Sequence, residues 1–142
     1  MERRTRAGGG DPETEALARA LAQVGDRWTL RVVHALLPGA QRFGQLQRDL
    51  GVAPNVLTQR LRALEADGLV LAEPYQQRPR RHAYRLTARG RELGGVLRLL
   101  AAWAVEDRAP RHASCGTDLE VRWWCPTCER TAGGPDDELV RL

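Results

Sequence analysis

The chain has 142 residues, 42% of them apolar and 28% charged, with 22 basic against 18 acidic side chains and a net charge of +4. That suffices for one domain with a substantial core and a small appendage, and crowds out two full domains. Residues 1–10 are Arg- and Gly-rich with no apolar signal region, and the longest uncharged apolar run, 99–105, is far too short to span a bilayer, so no membrane association and a cytoplasmic location are expected.

Every basic residue is Arg, and their distribution matters more than their number. Residues 53–91 carry eight Arg against three acids, whereas residues 92–142 carry six against nine. A basic middle third is what a phosphate-facing surface needs, because each neutralised phosphate releases condensed counterions.

In chain order, residues 1–10 read as a disordered tail whose Arg3, Arg4 and Arg6 add non-specific attraction at most. Asp11-Pro12-Glu13 opens a first helix, since Asp accepts an orphan N–H, Pro suits the first helical position and the acids complement the dipole. Leu17, Leu21 and Val24 keep helical spacing up to the stop at Gly25. The pattern predicts a second helix over 26–37, with Trp28, Val32, Ala35 and Leu36 inward, and a short third over 42–50, carried by Phe43, Leu46 and Leu50.

A fourth helix is predicted over 54–67, burying Leu57, Leu61 and Leu64 and stopping at Gly68. Its other face carries Pro54, Asn55, Thr58, Gln59 and Arg62. Two short strands, 69–75 and 82–86, follow, joined by the basic loop Gln76-Gln77-Arg78-Pro79-Arg80-Arg81. Thr87 caps a long last helix over 88–106, with Leu93, Leu97, Leu100 and Trp103 as its stripe. Gly90, Gly94 and Gly95 each weaken its first half by about 1 kcal/mol relative to Ala, so that half relies on packing, a second subunit being one option.

A polar helix followed by a basic two-stranded wing is the order in which a winged helix-turn-helix meets double-stranded DNA. Amide and hydroxyl side chains at 55, 58 and 59 offer donors and acceptors to base edges, and Arg62 can reach guanine or phosphate. Arg78, Arg80 and Arg81 on a Pro-stiffened loop suit phosphates or a narrow minor groove. No enzyme is expected, since the chain has no paired carboxylates, no nucleophile beside a base and no phosphate-cradling loop.

Four linked segments resemble the HxlR-type branch of winged-helix regulators, relatives of the MarR group. They are Gly25-Asp26-Arg27-Trp28-Thr29-Leu30, Arg42-Phe43-Gly44-Gln45-Leu46, the run from Leu57-Thr58-Gln59-Arg60-Leu61 to Gly68-Leu69, and Tyr84-Arg85-Leu86-Thr87-Ala88-Arg89-Gly90. The resemblance implies a homodimer held by the first and last helices, with two recognition helices entering successive major grooves of an imperfect palindrome. This chain has Ala53 where the family usually has a capping Ser, and it has no cysteine before Cys115, so the N-terminal thiol switch of some members is absent. The effector, if one exists, stays unknown at this point.

All three cysteines lie beyond the last helix. His112 and Cys115, then Cys125 and Cys128, form two pairs, each with two residues between its members, which is zinc-ribbon spacing for a closed structural zinc site of three thiolates and one imidazole. Asp118 or Glu120 could replace His112. A redox dithiol at Cys125 and Cys128 and a deaminase-type zinc are weaker alternatives: the first lacks a following helix, and the second lacks a Glu two residues after its His. Leu119, Val121 and Trp123 alternate with Glu120, Arg122 and Trp124 as in a strand with one covered face, so one of the two tryptophans should cover the ribbon's core.

The expected architecture is therefore mainly α with a small β-wing: a winged helix domain over 11–107 ending in a long helix, a zinc-ribbon-like hairpin over 108–132 and an acidic tail over 133–142. The expected function is sequence-specific transcriptional regulation. The alternative is a winged-helix and zinc-ribbon module that contacts the transcription machinery without strong DNA specificity.

Overall fold

The computed structural model describes residues 11–105, 111–120 and 122–132. The two tails expected at 1–10 and 133–142 lie outside them. The chain divides into two compact units, one of residues 23–108 and the other of residues 1–22 with 109–142. Among the described residues no helix is long and apolar enough to cross a membrane.

Helix α1 (Pro12–Val24) begins where the Asp-Pro-Glu signal places it, and none of its residues is buried. Helix α2 (Thr29–Leu36) starts three residues later than the pattern predicts. The cause is Asp26, whose carboxylate does not enter the helix but caps it. Oδ1 accepts the backbone N–H groups of Trp28 at 2.8 Å and Thr29 at 3.1 Å, while Oδ2 accepts the Thr29 hydroxyl and pairs with Arg60 at 3.2 Å. Burial works against ionisation of Asp26, but these hydrogen bonds and Arg60 outweigh it and hold the carboxyl below its ordinary 3.8. A depressed carboxylate stabilises the fold fully above pH 3.8, and that contribution is lost as pH falls through the lower folded value. Asp26→Asn should therefore flatten the acid limb of a stability-versus-pH curve below about pH 4, and Asp26→Ala should cost about 0.5–2 kcal/mol at neutral pH in chemical denaturation.

A two-residue strand β1 (Gln41–Arg42) leads directly into α3 (Phe43–Leu50), and α4 (Pro54–Ala66) follows after Gly51, which takes a left-handed conformation with φ 59°. Strands β2 (Val70–Gln77) and β3 (Arg80–Leu86) are longer than their polar composition suggests, and only Arg78 and Pro79 lie between them. The sheet order is β1-β3-β2, antiparallel throughout, with Val70 opposite Leu86 and Gln77 opposite Arg80. Cross-strand pairing extends the hairpin to its tip, where period-2 hydrophobicity has already ended.

The core joins Val32, Val33 and Leu36 of α2 to Leu46 and Leu50 of α3, Leu57, Leu61 and Leu64 of α4, and Leu69, Val70 and Leu86 around the sheet. Helix α5 (Ala88–Ala104) is capped by Thr87, whose Oγ1 accepts the Gly90 N–H at 3.0 Å and donates to the Gly68 carbonyl at 2.7 Å. Gly90 and Gly94 are not weak points awaiting a second subunit. A Cβ on Gly90 would lie 2.1 Å from the Leu69 carbonyl oxygen, and one on Gly94 would lie 3.1 Å from Leu37, so both let α5 approach its own chain. The predicted end of this helix at Glu106 lies outside the described residues.

In the second unit, β4 (Trp123–Cys125) pairs antiparallel with β5 (Arg130–Ala132), joined by the turn that holds Pro126 to Glu129. The strand is shorter than the alternation over 119–124 implies. Trp123 and Trp124 are 66% and 61% exposed, so neither covers a core as expected. Val121 lies outside the described residues.

Candidate nucleic-acid interface

Helix α4 has no side-chain cap at Ala53, which is extended (φ −63°, ψ 140°), and starts instead on Pro54 as its first residue. The Leu57 N–H reaches the Ala53 carbonyl at 3.0 Å. Leu57, Leu61 and Leu64 are at most 1% exposed, which fixes the rotation of the helix. At 100° per residue, Pro54, Asn55, Thr58, Gln59 and Arg62 then fall on the opposite side. Pro54, Asn55, Gln59 and Arg62 are exposed and Thr58 is half-buried, its hydroxyl donating to the Pro54 carbonyl at 2.8 Å. Arg60, next to this face, is spent on Asp26 and locks α4 to the start of α2. The polar face predicted from the sequence is thus a single presented surface.

At the wing tip Gln76 Nε2 donates to the Arg78 carbonyl at 2.9 Å, and Arg78, Arg80 and Arg81 are all exposed. Arg80 and Arg81 border a cleft of about 560 Å³ between the wing and the start of α3. Its other walls include Arg42, Arg48, Tyr75, His82 and Tyr84, and no acid. The Arg42 guanidinium stacks 4.4 Å over the Tyr75 ring, and the Arg42 N–H is held by Gln45 Oε1 at 2.9 Å. Burial pushes the Tyr84 phenol up, with Glu65 adding to the effect and Arg62 opposing it, so Tyr84 stays an O–H donor. Sequence reasoning missed Arg42, Arg48 and Tyr75. Only Arg42 carried a signal, as the head of the Arg-Phe segment, because the fold brings α3 to the wing by the β1–β3 pairing of Gln41 with Tyr84.

The Gly25-to-Leu30 segment also acquires a physical reason. Arg27 and Arg31 lie 5.1 and 4.6 Å from the Trp28 ring centre, and the Asp26 cap closes over a Thr29 that is 2% exposed.

The predicted zinc ligands come together as pairs. His112 Nδ1 is 3.3 Å from Cys115 Sγ, in a loop closed by the Gly116 N–H on the His112 carbonyl at 2.8 Å. Hydrogen bonds from Thr117, then from His112, push the Cys115 thiol down, and those from the backbone and side chain of Cys128 do the same for Cys125. The four do not meet: among the described residues no three His, Cys, Asp or Glu side chains stand together as a metal-holding group. Asp118 is taken by Arg111 at 3.0 Å and Glu120 by Arg122, which removes both as alternative ligands in this arrangement. The donor types and the pairing fit zinc. Gathering three thiolates around one point costs more than the fold provides unless a cation offsets their repulsion.

Comparison with known proteins settles the family. The model of the HxlR-like helix-turn-helix family matches residues 23–112. The chain belongs to the HxlR family. It is 40% identical over 124 residues to an uncharacterised HTH-type transcriptional regulator of Mycobacterium tuberculosis H37Rv, covering 82% of this chain and 78% of that protein. A solved protein described as a proposed transcription factor of Pseudomonas aeruginosa is 30% identical with a TM-score of 0.63, over 86% of this chain and 94% of that one. The redox regulator HypR in its reduced form is 31% identical with a TM-score of 0.59, over 63% and 89%. The HxlR chain described here is thus a winged helix-turn-helix transcriptional regulator with a DNA-binding domain.

Proposed function

We propose that this HxlR-family chain is a cytoplasmic homodimeric regulator that reads a pseudo-palindromic operator, with half-sites about 34–36 Å apart. The observation that carries the reading is the single exposed face of Asn55, Gln59 and Arg62 beside a basic wing cleft without acids. Support for a dimer comes from apolar side chains left without a partner. Leu17 and Leu21 of α1 are 58% and 55% exposed, and Val96, Leu99 and Trp103 of α5 recur at helical spacing on an open face. Burial of such stripes against a second copy is the usual resolution of an exposed apolar patch.

The test is a fluorescence-anisotropy titration against duplexes tiling the protein's own upstream region, with a random duplex as control, at several salt concentrations. A specific regulator binds one tile roughly a thousandfold more tightly than random. Arg80→Ala with Arg81→Ala should weaken binding to every duplex alike and flatten the salt slope by about one unit per lost phosphate contact. An unchanged slope would take the wing out of the interface.

The second unit is proposed to hold a structural zinc through His112, Cys115, Cys125 and Cys128, supported by the donor set and the two preformed pairs. A bound zinc would supply cross-linking of the two pairs and no chemistry at an open position. Elemental analysis should find about one zinc per chain in the native protein, and Cys125→Ser should lose it and expose the remaining thiols to alkylation. DNA affinity of the winged helix should survive that change. Native protein without zinc, its thiols all open to alkylation, would end the metal reading.

A further inference from the structure

Helix α5 has two apolar faces, and only one of them is the open face of Val96, Leu99 and Trp103. The other turns toward α2. Near its start it packs closely, with Leu93 and Leu97 against the core. Further along, the residues facing α2 shrink to Ala101 and Ala104, and α2 answers with Ala35, so the two helices leave a cleft of about 590 Å³. That volume lies within the range of small-ligand pockets, about 300–1,000 Å³.

One wall carries an unexplained polar atom. Gln41 is pinned by its Nε2, which donates to the Ala35 carbonyl at 2.7 Å, while its Oε1 is buried without any hydrogen-bond partner. A buried acceptor left unpaired costs about 1–3 kcal/mol, so such atoms have partners in the working state of most proteins. The missing group must be an O–H or N–H donor. Arg31, held by the Trp28 ring and the Leu50 carbonyl at 3.4 Å, and Asp49 also line the cleft, and their opposite charges leave it without selection for a charged ligand.

We propose that this cleft binds a compact, uncharged, largely apolar molecule bearing a hydroxyl, which donates to Gln41 Oε1 and lies against the alanines of α5. The walls link α5 to α2, to α3 and to the strand that pairs with β3 of the wing, so occupancy changes how the reading head is held. That consequence rests on the proposed DNA-binding function; the binding itself does not.

The full-length protein is titrated with 2-naphthol and with 2-methoxynaphthalene, which has the same body and no donor. The native protein should prefer 2-naphthol by about tenfold or more, the worth of one buried hydrogen bond. Gln41→Met should bring the two probes to equal affinity. Ala101→Leu, at an exposed helical position that tolerates the larger side chain, should fill the cleft and weaken both probes by about tenfold or more while thermal unfolding stays cooperative. Absence of 2-naphthol binding, equal affinity of the native protein for both probes, or binding indifferent to Ala101→Leu would each overturn the site. Saturating 2-naphthol should also shift operator affinity by about fivefold or more. Binding without that shift would overturn the regulatory role alone, and a failure to bind any duplex even without naphthol would count against the DNA-binding reading instead.

Discussion

Replacing Gly90 by Ala is expected to destabilise the winged helix more than any other single methyl group added to α5. The added Cβ would sit 2.1 Å from the Leu69 carbonyl oxygen and 3.2 Å from Leu86 Cδ2. Neither neighbour can yield cheaply. The Leu69 carbonyl already accepts the Thr87 N–H at 3.0 Å, and Leu86 is a core residue paired with Val70. Relief would require moving the start of α5 away from the α4–β2 turn, which would also strain the Thr87 contacts with Gly68 and Gly90. Overpacking of this kind costs about 1–3 kcal/mol, which for a domain of this size lowers the unfolding midpoint by roughly 5–15 °C. Gly95→Ala provides the control on the same helix, because its Cβ meets nothing within 4 Å. There the helix propensity of Ala should prevail and raise stability by up to about 1 kcal/mol. Equal midpoints for the two variants would show that α5 does not need its close approach to Leu69.

These two glycines also mark how far the sequence could be read. Propensity treats Gly90 and Gly95 alike, as breaks in a helix, because the carbonyl that makes one of them obligatory comes from a residue 21 positions earlier. The same distance hid Arg42, Arg48 and Tyr75, which reach the wing cleft only through sheet pairing. Elements whose signals are local came out well: the Pro54 start of α4, the leucine stripe that orients it, the Thr87 cap and the order of helices around a wing. Asp26 was legible as a polar residue before a helix but was placed inside it, since spacing alone does not say whether a carboxylate caps or continues a turn. In the second unit the cysteine spacing predicts a closed ring of four. The chain by itself forms two pairs, because the repulsion between thiolates is not encoded in spacing.

The recognition face should separate sequence reading from simple attraction. Asn55→Ala with Gln59→Ala removes two amides from the exposed side of α4 and touches none of the leucines that anchor its other side. A well-placed amide that pairs with a base edge contributes about 1–3 kcal/mol of discrimination. The double variant should therefore lose roughly 30-fold to several-thousand-fold in affinity for the operator and little for a random duplex. Because amides neutralise no phosphate, the dependence of affinity on salt should keep its slope. The wing variant with Arg80 and Arg81 replaced predicts the converse, a shallower slope with the preference for the operator retained. If both variants changed slope and preference together, α4 and the wing would be acting as one electrostatic surface. The face formed by residues 55, 59 and 62 would then position the protein on DNA without reading its sequence.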